Sequence, residues 1–176
     1  TINPDFGQAE SDEVIVNFSA QETFYSEKRA FFNENQSLFD LNHYDRYRII
    51  NTRRIGAGSN YLCSSTLNEN DCINSKKNYT DIDYALRYTQ KNNNLDFGIF
   101  IAKESDERYS NGKDFYAIRS KKKVDNRTIG YFLTHVENNF LNESATVNVI
   151  DFANVKSNKL TIYNDLISSE RDGKTG

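Results

Sequence analysis

From residue 79 onward, apolar and polar side chains alternate in segments of about ten residues, and turn-rich stretches separate the segments. The clearest segment is 80–88, where bulky apolar side chains occupy every second position: Ile82, Tyr84, Leu86 and Tyr88. The positions between them are polar or small: Asp81, Asp83, Ala85 and Arg87. A helix does not repeat with a period of two, so this segment is predicted to be a strand with one apolar face.

Five further segments repeat the pattern, at residues 95–103, 114–122, 128–136, 145–153 and 159–168. Their even spacing predicts an all-β, antiparallel up-and-down meander. Segments of nine to ten residues match strands that cross a bilayer, whereas strands of globular proteins average about five or six. The links between them alternate loosely between short and longer, as in membrane barrels. We therefore expect part of an outer-membrane-type β-barrel, although the pattern alone also fits a soluble sandwich or lipocalin-like barrel.

The first third of the chain differs from this meander. Residues 1–56 form an aromatic and charged segment without a clean period, with short strands predicted at 14–18 and 47–55 and a short helix near 26–33. Residues 57–78 form a loop that contains both cysteines, and residues 79–176 form the six-strand meander. All three parts are expected to belong to one domain fragment, because the chain begins at Thr1 and contains no methionine.

Composition and charge narrow the function classes. The net charge is −3 with 22 basic and 25 acidic residues, and no long basic run is present, which argues against nucleic acid as a partner. Aromatic residues make up 13% of the chain, far more than in a disordered tail. No run of eighteen apolar residues occurs, so a transmembrane helix is not expected, while a transmembrane strand is only half apolar and stays compatible.

The two cysteines, Cys63 and Cys72, lie in the polar stretch CSSTLNENDC, which has the composition of a loop. Such a pair is predicted to form a disulfide, which persists only in an oxidising compartment. The alternative is two free thiols in a cytosolic protein. A metal site would need more ligands, and the two histidines, His43 and His135, show no ligand spacing. No metal and no cofactor are expected.

A charged cluster at Glu27, Lys28 and Arg29 lies among aromatic residues, and a second one follows at Arg53 and Arg54. These five residues are candidates either for binding sugars or anions, or for an internal salt-bridge network, and the network is favoured. Glu27 is expected to pair with at least one arginine on the inside of the barrel, because basic residues are costly at depth in lipid. The chain has no phosphate-binding loop and no nucleophile motif, so no catalytic residue is assigned and an enzyme is not favoured.

Four stretches resemble a known bacterial family: TINPDFGQAESD (residues 1–12), VNFSAQETFYSEKRAFFNEN (16–35), LFDL (38–41) and NTRRIG (51–56). Members of that family join an N-terminal family-nine-type carbohydrate-binding module to a C-terminal β-barrel of unknown function, with phrases close to NPDFGQVEAD, FFPEKRPFFLE and YSRRIG. The chain departs from them at Ser26 and Ala30, where proline is common. The resemblance implies an outer-membrane barrel in a longer protein linked to polysaccharide use, and it supplies no catalytic residue.

These observations lead to one expected function and two alternatives. The chain is expected to be a segment of a barrel in the bacterial outer membrane whose parent protein binds or takes up carbohydrate, with the bilayer and the remainder of the barrel as partners. The first alternative is a soluble, periplasmic or secreted β-sandwich or jelly roll that binds glycans, in a protein associated with a glycoside hydrolase. The second is a structural surface or filament protein, built by edge-to-edge strand pairing.

Overall fold

The computed structural model describes residues 27–34, 36–41, 49–58, 63, 69–139, 141–158 and 160–173. The helical elements are short: α1 (Ala30–Asn33), α2 (Gln36–Phe39), a 3₁₀ helix η1 (Thr52–Arg54) and α3 (Glu69–Asn74). The strands are β1 (Ile82–Lys91), β2 (Leu95–Glu104), β3 (Asp114–Val124), β4 (Arg127–Asn138), β5 (Glu143–Ser157) and β6 (Leu160–Asp172). The strand predicted at 14–18 lies outside the described residues.

The six strands form one antiparallel sheet in the order β1-β2-β3-β4-β5-β6, so each strand pairs with its neighbour in the sequence. The predicted all-β up-and-down meander is therefore confirmed. Within the described residues the sheet is not closed, since β1 pairs with β2 alone and β6 with β5 alone.

The connections between strands differ in length at the two ends of the sheet. At one end, which we call the tight-turn rim, the links are residues 92–94, 125–126 and 158–159. At the other end, the loop rim, the links are the longer segments 105–113 and 139–142. This arrangement follows the predicted alternation of short and longer links.

The two faces of the sheet have different surroundings. One face, here called the inner face, buries Phe100 opposite Ala117 and Phe132 opposite Val149. The opposite, outer face leaves large apolar side chains exposed on every strand. Its exposed members are Tyr84, Leu86, Tyr88, Leu95, Tyr116, Ile118, Val124, Ile129, Tyr131, Ile150, Leu160, Ile162 and Leu166.

Ile82 does not share the face of Tyr84, contrary to the prediction from simple alternation. The register shifts between Ile82 and Tyr84, so Ile82 lies opposite Glu104 whereas Tyr84 lies opposite Lys103. An extra residue at such a bulge reverses the side on which the preceding side chain points. Ile82 is consequently buried in the core of the inner face.

The N-terminal segment (described residues 27–34, 36–41 and 49–58) packs against the inner face and completes its core. Phe32 lies beside Phe100 with ring centroids 5.9 Å apart, and Phe39 lies beside Phe132 at 6.1 Å. Leu38 and Ile55 are buried in the same cluster. The core therefore lies between the sheet and a segment with little regular structure.

The strand predicted over 47–55 is wrong for its described part. Residues Thr52–Arg54 form the 3₁₀ helix η1, in which the Ile55 amide donates to the Thr52 carbonyl at 2.9 Å. Gly56 follows with a φ of 79°, a left-handed conformation that glycine adopts without strain. The chain thus turns sharply at NTRRIG instead of extending through it.

The predicted disulfide between Cys63 and Cys72 is present, with Cα atoms 5.4 Å apart. Both cysteines are buried, and Cys72 lies on α3. Among the described residues, no helix is both long enough and apolar enough to cross a membrane.

Candidate functional site

Arg29 ties the start of the N-terminal segment to the turn at η1. Its guanidinium donates to the carbonyl oxygens of Thr52 and Ile55, each at 2.7 Å. The same group binds both carboxylate oxygens of Glu27, with Nε to Oε1 at 2.9 Å and Nη2 to Oε2 at 2.8 Å. It also lies over the Phe32 ring, 4.1 Å from the ring centroid. A fork with several donors is what arginine offers and lysine lacks, so this junction is specific to arginine.

Glu27 is the anionic partner in this junction. Besides the guanidinium, it accepts hydrogen bonds from the Arg29 amide at 3.0 Å and from the Thr52 hydroxyl at 2.8 Å. Burial alone would raise the pKa of this carboxyl, but the hydrogen bonds from Arg29 and Thr52 outweigh that effect and hold the pKa below its usual value. Glu27 therefore stays ionised and keeps Arg29 in place.

The remaining members of the predicted cluster lie on the two joined segments. Lys28 and Arg54 are exposed, and Arg53 is half-buried. Arg53 and Arg54 lie on η1, the same turn that Arg29 and Glu27 hold. The structure thus brings the two predicted charge clusters together. Arg29 and Glu27 of the first cluster bind Thr52, which directly precedes Arg53 and Arg54 of the second.

Arg87 of β1 is a second link between the sheet and the N-terminal segment. Its guanidinium donates to the Phe32 carbonyl at 3.1 Å and also to the Glu34 carbonyl. It lies between 5.4 and 5.8 Å from the ring centroids of Phe31, Phe39 and Phe100. Arg87 thus combines hydrogen bonds to backbone carbonyls with cation–π contacts to aromatic rings. Together these contacts fix the position of α1 on the sheet.

The third link is Arg119 of β3, which is 0% exposed and forms a bidentate ion pair with Asp151 of β5. One of the two bonds, Nη2 to Oδ2, measures 3.0 Å. The Arg119 Nε also donates to the Leu38 carbonyl at 3.3 Å, and the guanidinium lies 5.5 Å from the Phe132 centroid. One side chain thus joins two strands to the segment that covers them.

Glu104, at the end of β2, binds the backbone at the turn that contains Gly56. Its two carboxylate oxygens accept hydrogen bonds from the Gly56 amide at 2.9 Å and from the Lys113 amide at 3.0 Å. Glu104 is buried, so both backbone donors would lack an acceptor without it. It positions the N-terminal segment against the loop rim.

Two glycines of the inner face make room for these contacts. A Cβ on Gly98 would lie 2.7 Å from Leu38 Cδ2 and 2.8 Å from Phe39 Cζ. A Cβ on Gly130 would lie 2.7 Å from Arg119 Nη1 and closer still to the Asp151 carboxylate. The absence of a side chain at these two positions therefore lets the N-terminal segment and the ion pair approach the sheet closely.

These contacts show that buried charged side chains of the inner face fix the position of the N-terminal segment. In the described part of the chain, no group of three or more His, Cys, Asp or Glu side chains is arranged to hold a metal ion. The sequence motifs predict Glu27 and Arg29 as members of a charged cluster, but they do not predict Arg87, Glu104 or the pair of Arg119 with Asp151. The sequence feature that indicates these arginines is their place in the alternating pattern, since Arg87 and Arg119 lie in mid-strand on the face opposite the exposed apolar side chains.

Sequence comparison places the chain in a family. The model of a family described as a domain of unknown function, DUF5916, matches residues 1–164. The chain belongs to the DUF5916 family. Among curated proteins and solved structures, no significant match was found. The DUF5916 match includes both the N-terminal segment and most of the sheet, so the contacts between them lie within one family domain.

Proposed function

We propose that this DUF5916 chain is a segment of an outer-membrane β-barrel, with the outer face of the sheet against lipid and the N-terminal segment inside the barrel. The observation that carries the proposal is the separation of charge between the two faces. In the middle of the strands, the charged side chains are on the inner face: Arg87, Arg119, Asp151 and Asp165. The outer face is apolar or uncharged there.

The outer face has the pattern expected where strands meet hydrocarbon. Exposed apolar side chains occur on all six strands of this face. The charged side chains of the same face lie within three positions of a strand end. These charged residues are Lys103, Asp114, Lys122, Arg127, Glu137, Glu170 and Asp172. Soluble proteins rarely expose a continuous apolar surface of this extent. Alternation with apolar side chains outward and polar ones inward is typical of outer-membrane barrels.

Strand length and link length support the same proposal. The strands contain 10, 10, 11, 12, 15 and 13 residues, and about 9 to 11 suffice to cross the hydrocarbon layer at the usual tilt. In bacterial barrels the tight turns face the periplasm and the longer loops face outward. By that rule the tight-turn rim would be periplasmic, and Cys63–Cys72 would close a loop in an oxidising compartment.

The N-terminal segment would then occupy the lumen as a fixed plug. Arg87, Glu104 and Arg119 hold it from the wall, and Arg29 with Glu27 holds its own two parts together. Buried charges of this kind are far cheaper inside a barrel than facing lipid, where a basic residue costs about 2–4 kcal/mol at the midplane. In this proposal Glu27, Lys28, Arg29, Arg53 and Arg54 all lie inside, and the network is structural.

The carbohydrate part of the proposal has a separate basis. It rests on the resemblance of residues 1–56 to barrels joined to carbohydrate-binding modules, and it assigns sugar binding or uptake to the parent protein. Binding of the full-length protein to soluble oligosaccharides, measured by calorimetry, tests this part alone. Unchanged heat with every polysaccharide fraction tried would remove the carbohydrate role and leave the barrel.

Two neighbouring residues of β6 offer a matched test of the barrel. Leu166 is 68% exposed on the outer face, opposite Ile150, and Ile167 is 42% exposed on the inner face, opposite Val149. In a barrel, Leu166→Lys puts a charge into lipid at mid-strand and should cost about 2–4 kcal/mol, while Ile167→Lys faces the lumen and should cost much less. The measurement is the yield of folded full-length protein in the outer-membrane fraction and its urea midpoint in vesicles.

The alternatives give different results in the same experiment. In a soluble or filament protein whose outer face meets water, Leu166→Lys would be the milder change because Leu166 is the more exposed residue. A soluble sandwich that covers the outer face with a second sheet would also be destabilised by Leu166→Lys, but its wild-type form would be absent from the outer-membrane fraction. Recovery of the wild-type full-length protein as a soluble periplasmic monomer would reject the barrel directly.

A further inference from the structure

Five exposed basic residues surround the tight-turn rim. They are Lys91, Lys122, Lys123, Arg127 and Lys156, which we call the basic collar. The two acidic residues at this rim, Asp96 and Asp125, leave it with an excess of positive charge. The whole chain has a net charge of −3, so the excess is a local property of this end of the sheet.

The collar differs from the basic residues at the loop rim in its partners. There, Lys77 pairs with Glu107 at 3.0 Å, Lys103 with Asp114 at 3.4 Å and Arg171 with Glu143 at 3.0 Å. None of the five collar residues forms an ion pair with any residue that the structure describes. The cations of the collar are therefore available to an external anion.

The collar also borders the apolar part of the outer face. Lys122 and Arg127 share that face with Val124 and Ile129, and the apolar pair is about half exposed. Leu95, on the adjacent strand, lies opposite Lys122. Apolar side chains followed at once by exposed cations match the change from acyl chains to phosphate groups in a lipid leaflet.

We infer that the basic collar binds the phosphate groups of anionic phospholipid headgroups in the leaflet at the tight-turn rim. This inference rests on the proposed barrel and adds a lipid preference to it. Lysine and arginine side chains at a membrane surface attract anionic lipids, and the attraction is screened over about 8–10 Å at physiological salt. Lys122 and Arg127 lie at the rim on the outer face, the face that meets lipid in the proposed barrel.

The test uses the purified full-length protein in a nonionic detergent, mixed with equal amounts of phosphatidylglycerol and phosphatidylcholine that have the same acyl chains. Retained lipid is then quantified by mass spectrometry. The wild-type protein should retain an excess of phosphatidylglycerol. The triple variant Lys122→Gln/Lys123→Gln/Arg127→Gln should lose most of that excess, with phosphatidylglycerol affinity falling on the order of fivefold for each base removed.

The matched control removes the same number of charges at the other rim, with Lys77→Gln/Lys103→Gln/Arg171→Gln. It should retain the wild-type ratio, since those bases are already paired with carboxylates. Equal loss in both triple variants would mean that only net charge matters, and would overturn the inference. So would displacement of phosphatidylglycerol by inorganic phosphate at constant ionic strength, because the collar would then be a site for free phosphate.

Failure of this inference can be told apart from failure of the barrel. A membrane-embedded protein that retains the two lipids equally rejects the lipid preference and leaves the barrel standing. A protein that is soluble without detergent and retains neither lipid rejects both.

Discussion

The two faces of the sheet are formed by the same strands, yet they differ in mid-strand charge and in burial. The inner face buries Arg119, Asp151 and Glu104 together with aromatic rings, while the outer face exposes Leu86, Ile118 and their neighbours. The charged side chains of the inner face are buried because the N-terminal segment covers them, with contacts to Arg87, Glu104 and Arg119.

Four ionisable side chains of the inner face, Arg87, Glu104, Arg119 and Asp151, have polar partners. Asp151 neutralises Arg119, and the backbone of the N-terminal segment supplies acceptors to Arg119 and Arg87 and a donor to Glu104. A buried ion pair adds little stability compared with an apolar pair, but loss of one partner is costly. The inner face should therefore be sensitive to single changes and tolerant of matched double changes.

The largest expected effect is that of Arg119→Ala. The change leaves Asp151 as an uncompensated charge and removes a donor from the Leu38 carbonyl, so it should lower the free energy of unfolding by about 3–5 kcal/mol. Urea unfolding of the full-length protein measures the loss. The double variant Arg119→Met/Asp151→Leu should recover most of it, and equal losses in the single and double variants would show that the pair is not the cause.

A smaller effect is expected from filling the space at Gly98. Gly98→Val would press on Leu38 and Phe39 and should cost about 1–3 kcal/mol by overpacking. The matched control is Ile99→Val on the outer face of the same strand, where the loss of one methylene should change stability by no more than about 1 kcal/mol. The same urea midpoints decide. If both variants unfold like the wild type, the N-terminal segment is not held against β2.

The smallest effect is that of Glu27→Gln, on the order of 1 kcal/mol at neutral pH. The pKa of Glu27 is lowered in the folded protein, so its contribution is fully present above 4.5, the ordinary value of a glutamate, and is lost as the pH falls through the folded-state value. The difference in unfolding free energy between wild type and variant should therefore shrink under acid. A constant difference from pH 7 to pH 3 would contradict the ionised pair with Arg29.

Most of the sheet could be predicted from the sequence, because alternation with a period of two is a local signal. The starts of β2 and β3 coincide with the predicted segments, at Leu95 and Asp114. The disulfide was predictable for the same reason, since Cys63 and Cys72 are near in sequence. Simple alternation places Ile82 on the wrong face, because a bulge is a property of two paired strands and cannot be recognised from one segment.

The inner-face network could not be predicted in the same way. Whether Arg119 meets Asp151 depends on the register of two successive strand pairs, β3 with β4 and β4 with β5. The turn at Thr52–Arg54 read as a strand, because YRIINTRRI is rich in β-formers, whereas carbonyl contacts from Arg29 hold it in a 3₁₀ turn. Long-range partners of this kind override local propensity.

The pairing of each strand with its sequence neighbour has a consequence for the order of folding. Hairpins such as β3–β4, joined by residues 125–126, close loops of minimal length, whereas the bond from Arg119 to Leu38 joins residues 81 positions apart. Contacts between distant positions form late, because closing the long loop between them costs more conformational entropy than closing a hairpin. We therefore expect the sheet to assemble hairpin by hairpin and the N-terminal segment, although it is made first, to dock last.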